Sequence, residues 1–179
     1  MMSGNSATRR PRVLSTILLM FGAGIFLFIL AELYKVLGVG MSYLGFLFLL
    51  YWAGIMRQSA KEFLPALLGA LSGVGLAWLL VAAPSVFGSI AQYAGIAIMV
   101  AVVFVYLREE ARLVANNATM LYLIFATVPE LDVARNVVTM AKSISISAAY
   151  MGITAILVHR IRIRLDRSKG PRESVEPSE

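Results

Sequence analysis

The chain has no cysteine and a single histidine, His159, among its 179 residues. Disulfides, thiolate nucleophiles and cysteine-ligated metals are therefore excluded. One imidazole is too few for a histidine-rich metal site. Charge is scarce as well: Asp, Glu, Lys and Arg make up 15% of the residues, against about 25% in a soluble domain. No charged residue occurs between Phe63 and Leu107. The sequence has no glycine-rich phosphate loop, no His/acid metal spacing and no nucleophile with a base at catalytic spacing. The expectation is a protein that is not an enzyme, with no cofactor and no metal.

What the chain has in excess is apolar surface. Hydrophobic residues make up 59%, the mean hydropathy is +0.80, and one small core cannot hide that much. The composition points to an all-α, polytopic membrane helix bundle. A hydrocarbon layer about 30 Å thick needs roughly 20 apolar residues per helix. The expected spans are 13–30, 41–56, 63–83, 89–107, 113–128 and 137–158. The first break is Gly38-Val39-Gly40, and the cluster Pro84-Ser85 with Gly88-Ser89 divides the long uncharged stretch, since Pro and Gly interrupt helices. Strands of a barrel would alternate every two residues, and these runs do not. Residues 1–12 read as a disordered basic arm, with a retained first helix rather than a signal peptide behind it. Residues 159–179 read as a basic, then disordered, tail.

The 16 Lys and Arg residues support six crossings. With loops assigned alternately to the two sides, one side collects Arg9, Arg10, Arg12, Arg57, Lys61, Arg108, Arg112 and the six cations of the tail. The other receives only Lys35, Arg135 and Lys142. Lys/Arg-rich loops stay in the cytoplasm, so both termini are expected there, and five crossings would export the tail. The cations lie between apolar runs instead of clustering on a folded face, which argues against nucleic acid as a partner. The partners expected are the lipid bilayer itself, anionic headgroups at the alternating basic and aliphatic stretch His159–Arg167, and a second copy of the chain in a homo-oligomer.

Shifting the chain by 74 positions lays spans two and three over spans five and six without a gap. Leu47-Phe48-Leu49-Leu50-Tyr51 falls on Leu121-Tyr122-Leu123-Ile124-Phe125, Ala60-Lys61 on Ala134-Arg135, and Gly69, Gly73 and Gly75 on Ser143, Ser147 and Ala149. Span one overlies span four less closely. Three crossings per half would give the halves opposite orientations, a 3+3 inverted repeat of the kind found in transporters, with a solute site where the halves meet. Chance similarity between two apolar stretches is the competing account.

The block Tyr43-Leu44-Gly45-Phe46, then Tyr51-Trp52-Ala53, then Leu71-Ser72-Gly73-Val74 with Ala77-Trp78, resembles the YcdZ-like family of small bacterial inner-membrane proteins. The resemblance covers most of 13–158 and implies this length, this number of spans and a bacterial inner-membrane location. That family is a domain of unknown function, so no activity is implied. The glycine-rich pattern expected of the family in span five is replaced here by Asn116-Asn117-Ala118-Thr119.

Within the apolar runs, Gly69 and Gly73 with Ser72 put small residues on one face of span three, where helices can approach closely. Ser143 and Ser147, four apart, share a face of span six. These five residues are candidates for pore lining or for helix packing, and packing is the weightier account for the glycines. Glu32 and Lys142 are the ionisable residues nearest the hydrocarbon, where a charge costs about 2.5–3.5 kcal/mol on insertion scales. They either reach the interface by snorkelling or, with Asn117, line a vestibule. Asn116 and Asn117 are placed to cap the fifth helix or to line a cytoplasmic mouth. Tyr34, Tyr43, Tyr51, Trp52, Trp78 and Tyr93 read as interfacial aromatics. The function these features favour is a small channel or secondary carrier for a small neutral or weakly polar solute. The alternative is a non-transporting accessory or membrane-organising subunit of a larger complex.

Overall fold

The computed structural model describes residues 10–108 and 111–168. Within them the protein is all-helical, with no strand. Four helices are long and apolar enough to cross a membrane: α1 (Arg10–Val36), α3 (Ala60–Val81), α5 (Ser89–Arg108) and α7 (Val133–Ser168). Two apolar helices are shorter. α2 (Ser42–Leu50) continues as a π turn, Tyr51–Ile55, and α6 is Asn117–Ala126. A single turn and a half, α4 (Ala83–Phe87), links α3 to α5. Residues 10–12, expected in the basic arm, begin α1, and the start of the expected tail continues α7 as helix to Ser168. The rest of the expected disordered ends, 1–9 and 169–179, lies outside the described residues.

The ends of the helices follow local chemistry. α1 stops in a Schellman turn: Val39 N–H donates to the Tyr34 carbonyl at 3.1 Å and Gly38 N–H to the Lys35 carbonyl at 3.1 Å. Gly38 takes φ +60° there, a conformation that costs glycine nothing. α6 begins at Asn116, whose Oδ1 accepts from Ala118 N–H (2.9 Å) and Thr119 N–H (3.3 Å). The Thr119 hydroxyl accepts in return from Asn116 N–H (3.1 Å), completing a capping box. At about 1.5 Å per residue, the α2 segment is about 21 Å long and α6 about 15 Å, both short of a 30 Å hydrocarbon layer. The expected span 41–56 is helical to within one residue at each end, whereas 113–128 is shortened to the ten residues of α6. Residues 37–41 precede α2, and residues 111–116 are turned back around the Asn116 cap.

Each short helix lies in parallel against a long one. Gly40 faces Thr139, and Met41 and Gly45 sit beside Ser143 and Ser147, so α2 runs with α7. Gly69 faces Asn116, and Gly73 faces Thr119 and Leu123, so α6 runs with α3. α3 and α7 also pack on each other, while α1 touches α7 and α5 touches α3. The buried positions of the two pairs keep one register. Ala66, Gly69, Ala70, Gly73, Val74 and Ala77 are buried in α3, and 74 residues on so are Met140, Ser143, Ile144, Ser147, Ala148 and Met151. Leu44, Gly45, Phe48, Leu49 and Trp52 are buried; so are Ala118, Thr119, Tyr122, Leu123 and Ala126. The connection before each long helix carries a left-handed residue at the same offset, Gln58 (φ 59°) and Asp132 (φ 41°).

α1 and α5 lie at the periphery, with only 6% of their apolar windows buried. Their exposed Leu, Ile, Val and Phe side chains are what a helix presents to lipid.

Candidate functional site

Two polar regions lie inside the bundle. The first is a hydrogen-bonded knot beneath the start of α2. The Tyr34 hydroxyl donates to the Ser143 carbonyl at 2.6 Å and lies 2.8 Å from Ser147 Oγ. Ser143 Oγ donates to the Met41 carbonyl (2.9 Å) and accepts from Gly45 N–H (3.2 Å). Next to it, the Tyr122 hydroxyl donates to the Leu44 carbonyl at 2.7 Å, joining α6 to α2. Ser143 and Ser147 are fully buried and Tyr34 is 2% exposed. No buried side-chain polar atom among the described residues lacks a partner, as a region shielded from water requires.

Close approach is what makes the knot possible. A β-carbon on Gly45 would stand 2.5 Å from Ser147 Oγ and 2.9 Å from the Ser143 carbonyl oxygen. On the other pair of helices a β-carbon on Gly73 would meet the Thr119 carbonyl and stand 2.9 Å from Leu123 N. One on Gly69 would stand 2.7 Å from Asn116 Cγ. Gly73 thus sits at a backbone-to-backbone helix contact, Gly69 makes room for the Asn116 side chain, and Ser143 and Ser147 bind helix to helix. Ser72 is half-buried and returns its hydroxyl to the Leu68 carbonyl of its own helix at 2.6 Å.

The second region is a half-open cavity of about 480 Å³ at the end of the bundle that carries Arg57, Lys61, Arg108 and Arg112. The π turn supplies Tyr51 and Met56 stands just beyond it; α3 supplies Glu62, Pro65 and Ala66. Tyr106 comes from the end of α5, and Arg112, Asn116 and Asn117 come from the approach to α6. Pockets for small molecules run from about 300 to 1,000 Å³, so the space suits a small solute. Asn116 is fully committed: besides its cap, its amide nitrogen donates to the Pro65 carbonyl (2.7 Å) and the Arg112 carbonyl (2.9 Å). Asn117 is exposed, and its Oδ1 accepts from the Tyr106 hydroxyl at 2.6 Å, joining α5 to α6 at the cavity wall. Carboxylate, guanidinium, phenol and amide groups on one wall give donors and acceptors to a polar solute. Among the described residues no group of three His, Asp or Glu side chains is placed to hold a metal ion.

Glu32 is half-buried and pairs with Lys35 on the same helix at 2.5 Å. Lys142 is exposed on α7, one residue from the knot but not in it. The structure therefore divides the three vestibule candidates: Asn117 lines the cavity, and Glu32 and Lys142 do not. The sequence did not single out Tyr34, Glu62, Tyr106, Arg112 or Tyr122 for these roles. Tyr34, Tyr51 and Trp52, expected at the lipid interface, are buried inside the bundle (2%, 4% and 4% exposed), whereas Tyr43 and Tyr93 are exposed. No family model, no curated protein and no solved structure matches this chain.

Proposed function

We propose that this protein is a six-pass membrane channel or secondary carrier for a small neutral or weakly polar solute, with both termini in the cytoplasm and the cavity as its cytoplasmic mouth. It is built as a 3+3 inverted repeat, in which α1–α3 and α5–α7 are the two halves. The carrying observation is the pair of short apolar helices, α2 and α6, at corresponding positions 74 residues apart. Paired short or interrupted helices are the feature that points to the solute path in inverted-repeat transporters. The shared register of buried positions, the parallel pairings of α2 with α7 and α6 with α3, and the like roles of α1 and α5 all support the same two-fold arrangement. Six crossings follow when each short helix, with its non-helical flank, counts as one passage. The excess of Lys and Arg at the cavity end supports its cytoplasmic orientation, and the YcdZ-like resemblance supports a bacterial inner membrane.

The test is solute flux into proteoliposomes from a panel of small neutral solutes. Asn117→Trp, which fills the cavity mouth, abolishes flux of the transported solute, whereas Gly75→Trp leaves it unchanged, because nothing lies within 4 Å of that glycine. Equal flux in both variants overturns the assignment of the cavity. A non-transporting accessory subunit is the second reading, favoured by α5, whose apolar side chains are exposed on nearly every face, with only Gly95 buried. A stable complex with a second membrane protein in mild detergent, and no flux for any solute, supports it.

A further inference from the structure

We propose that the structure is one of two states of a carrier, and that the second is reached by releasing the end of α1 from α7 and docking the end of α5 on α3. The inference rests on the inverted-repeat reading above and decides between its two forms, channel and carrier. The offset of 74 makes the last turns of α1 and α5 counterparts: Leu30 corresponds to Phe104, Leu33 to Leu107 and Tyr34 to Arg108. Their surroundings are opposite. Leu30 and Tyr34 are 0% and 2% exposed, with the Tyr34 hydroxyl bonded into the knot, whereas Phe104 and Leu107 are 55% and 71% exposed.

The consequence is one open space and one filled one. Where the end of α5 stands off, the cavity lies between it and Pro65 and Ala66 of α3. The counterparts of those two residues on α7 are Thr139 and Met140. Thr139 and Met140 are buried to the same degree as Pro65 and Ala66, but Thr139 has Gly40 over it, in the stretch just after docked α1. A second vestibule, on the face opposite the cavity, is therefore latent between α1 and α7, with Glu32, Tyr43 and Thr139 as the counterparts of Tyr106, Asn117 and Pro65. The exchanged state lacks the Tyr34–Ser143–Ser147 bonds, because Arg108, Gly69 and Gly73 stand at the corresponding positions, so it is the minor state, and a solute that binds it better shifts the population toward it. A solute bound between the two halves then has access from one side at a time.

The chain's lack of cysteine makes the test direct. Thr139→Cys and Asn117→Cys are placed singly in the full chain, and labelling by a membrane-impermeant maleimide is measured in oriented membrane vesicles. Tyr34→Phe is then added to each, removing the hydroxyl that fastens α1. Interhelical hydrogen bonds in lipid are worth enough to shift the populations on the order of three- to fifteen-fold. The expected result is reciprocal: labelling at Thr139→Cys rises by that factor and labelling at Asn117→Cys falls. Ser147→Ala, which breaks the same bond from α7, gives the same pair of changes and serves if Tyr34→Phe does not fold. Labelling that rises at both positions means simple loosening, and labelling unchanged at both means no second state; either overturns the proposal. Flux with unchanged labelling leaves a channel standing and removes the exchange. Reciprocal labelling without flux keeps the exchange and removes the proposed solute function.

Discussion

The two parallel helix pairs meet the same packing problem with the small residue on opposite partners. Where α6 lies on α3, the glycines are on the long helix, Gly69 and Gly73, and the short helix brings its backbone and the Asn116 amide against them. Where α2 lies on α7, the glycine is on the short helix, Gly45, and the long helix answers with Ser143 and Ser147. The first contact is held mainly by shape, with one bond from the Asn116 amide to the Pro65 carbonyl, and the second mainly by hydroxyl bonds, with Tyr34 of α1 drawn in as a third member. Lipid supplies no hydrophobic drive for helices to associate, so close packing and interhelical hydrogen bonds are the two means left. This molecule uses both in each pair, in different proportions.

The comparison breaks most severely if the shape-held pair tolerates bulk. Gly73→Leu places a branched side chain against the Thr119 and Leu123 backbone. Overpacking of this kind costs about 1–3 kcal/mol and occasionally more, seen as a lowered midpoint in SDS-titrated unfolding followed by circular dichroism. An unchanged midpoint removes the glycine contact as a determinant of the fold. Asn116→Ala is next in size: it removes the helix cap, worth about 0.5–2 kcal/mol, and unties α6 from Pro65 in the same step. Asn116→Asp, which keeps the cap acceptor but not the amide donors, retains part of that stability, and equal losses in the two variants contradict the division of roles. Tyr34→Phe sharpens the bond-held pair. Measured interhelical hydrogen bonds average about 0.6 kcal/mol with a maximum of about 1.7, and a loss within that range is expected by the same titration. Smallest is Gly75→Ala, at the glycine that faces open space on the same helix as Gly73. A helical Gly→Ala exchange without a clash gains about 0.5–1 kcal/mol, so the midpoint rises slightly, and a fall contradicts the seam's one-sidedness.

Much of this architecture was legible in the sequence, for identifiable reasons. Unbroken apolar runs and the Pro84 and Gly88 punctuation delimit α3 and α5 almost to the residue. The expected start of the second span, Met41, is one residue from the observed helix. The length of α6 was not legible, because hydropathy scores its flanks as it scores the helix. Val114 and Ala115 are as apolar as the helix itself, yet they form turns because Asn116 caps behind them. The roles of the aromatics were misread for a related reason: an interfacial tyrosine and a buried one have the same composition around them. What separates Tyr34 from Tyr93 is a partner more than a hundred residues away, Ser143, which no local window contains. The small residues were legible as a set, but which of them would meet backbone and which hydroxyl depended on the facing helix.

α7 is a single uninterrupted helix of 36 residues, about 54 Å from end to end at the standard rise. It carries Ser143 and Ser147 in its first half, Arg160 at the end of its apolar stretch and Arg164 beyond it. A rod of that length behaves as a lever: Arg164 stands about 25 Å from Ser147, so a tilt of about ten degrees at the serine fulcrum moves the arginine end sideways by about 4 Å. Whatever rearranges the buried hydroxyls thereby also displaces the arginine end of α7.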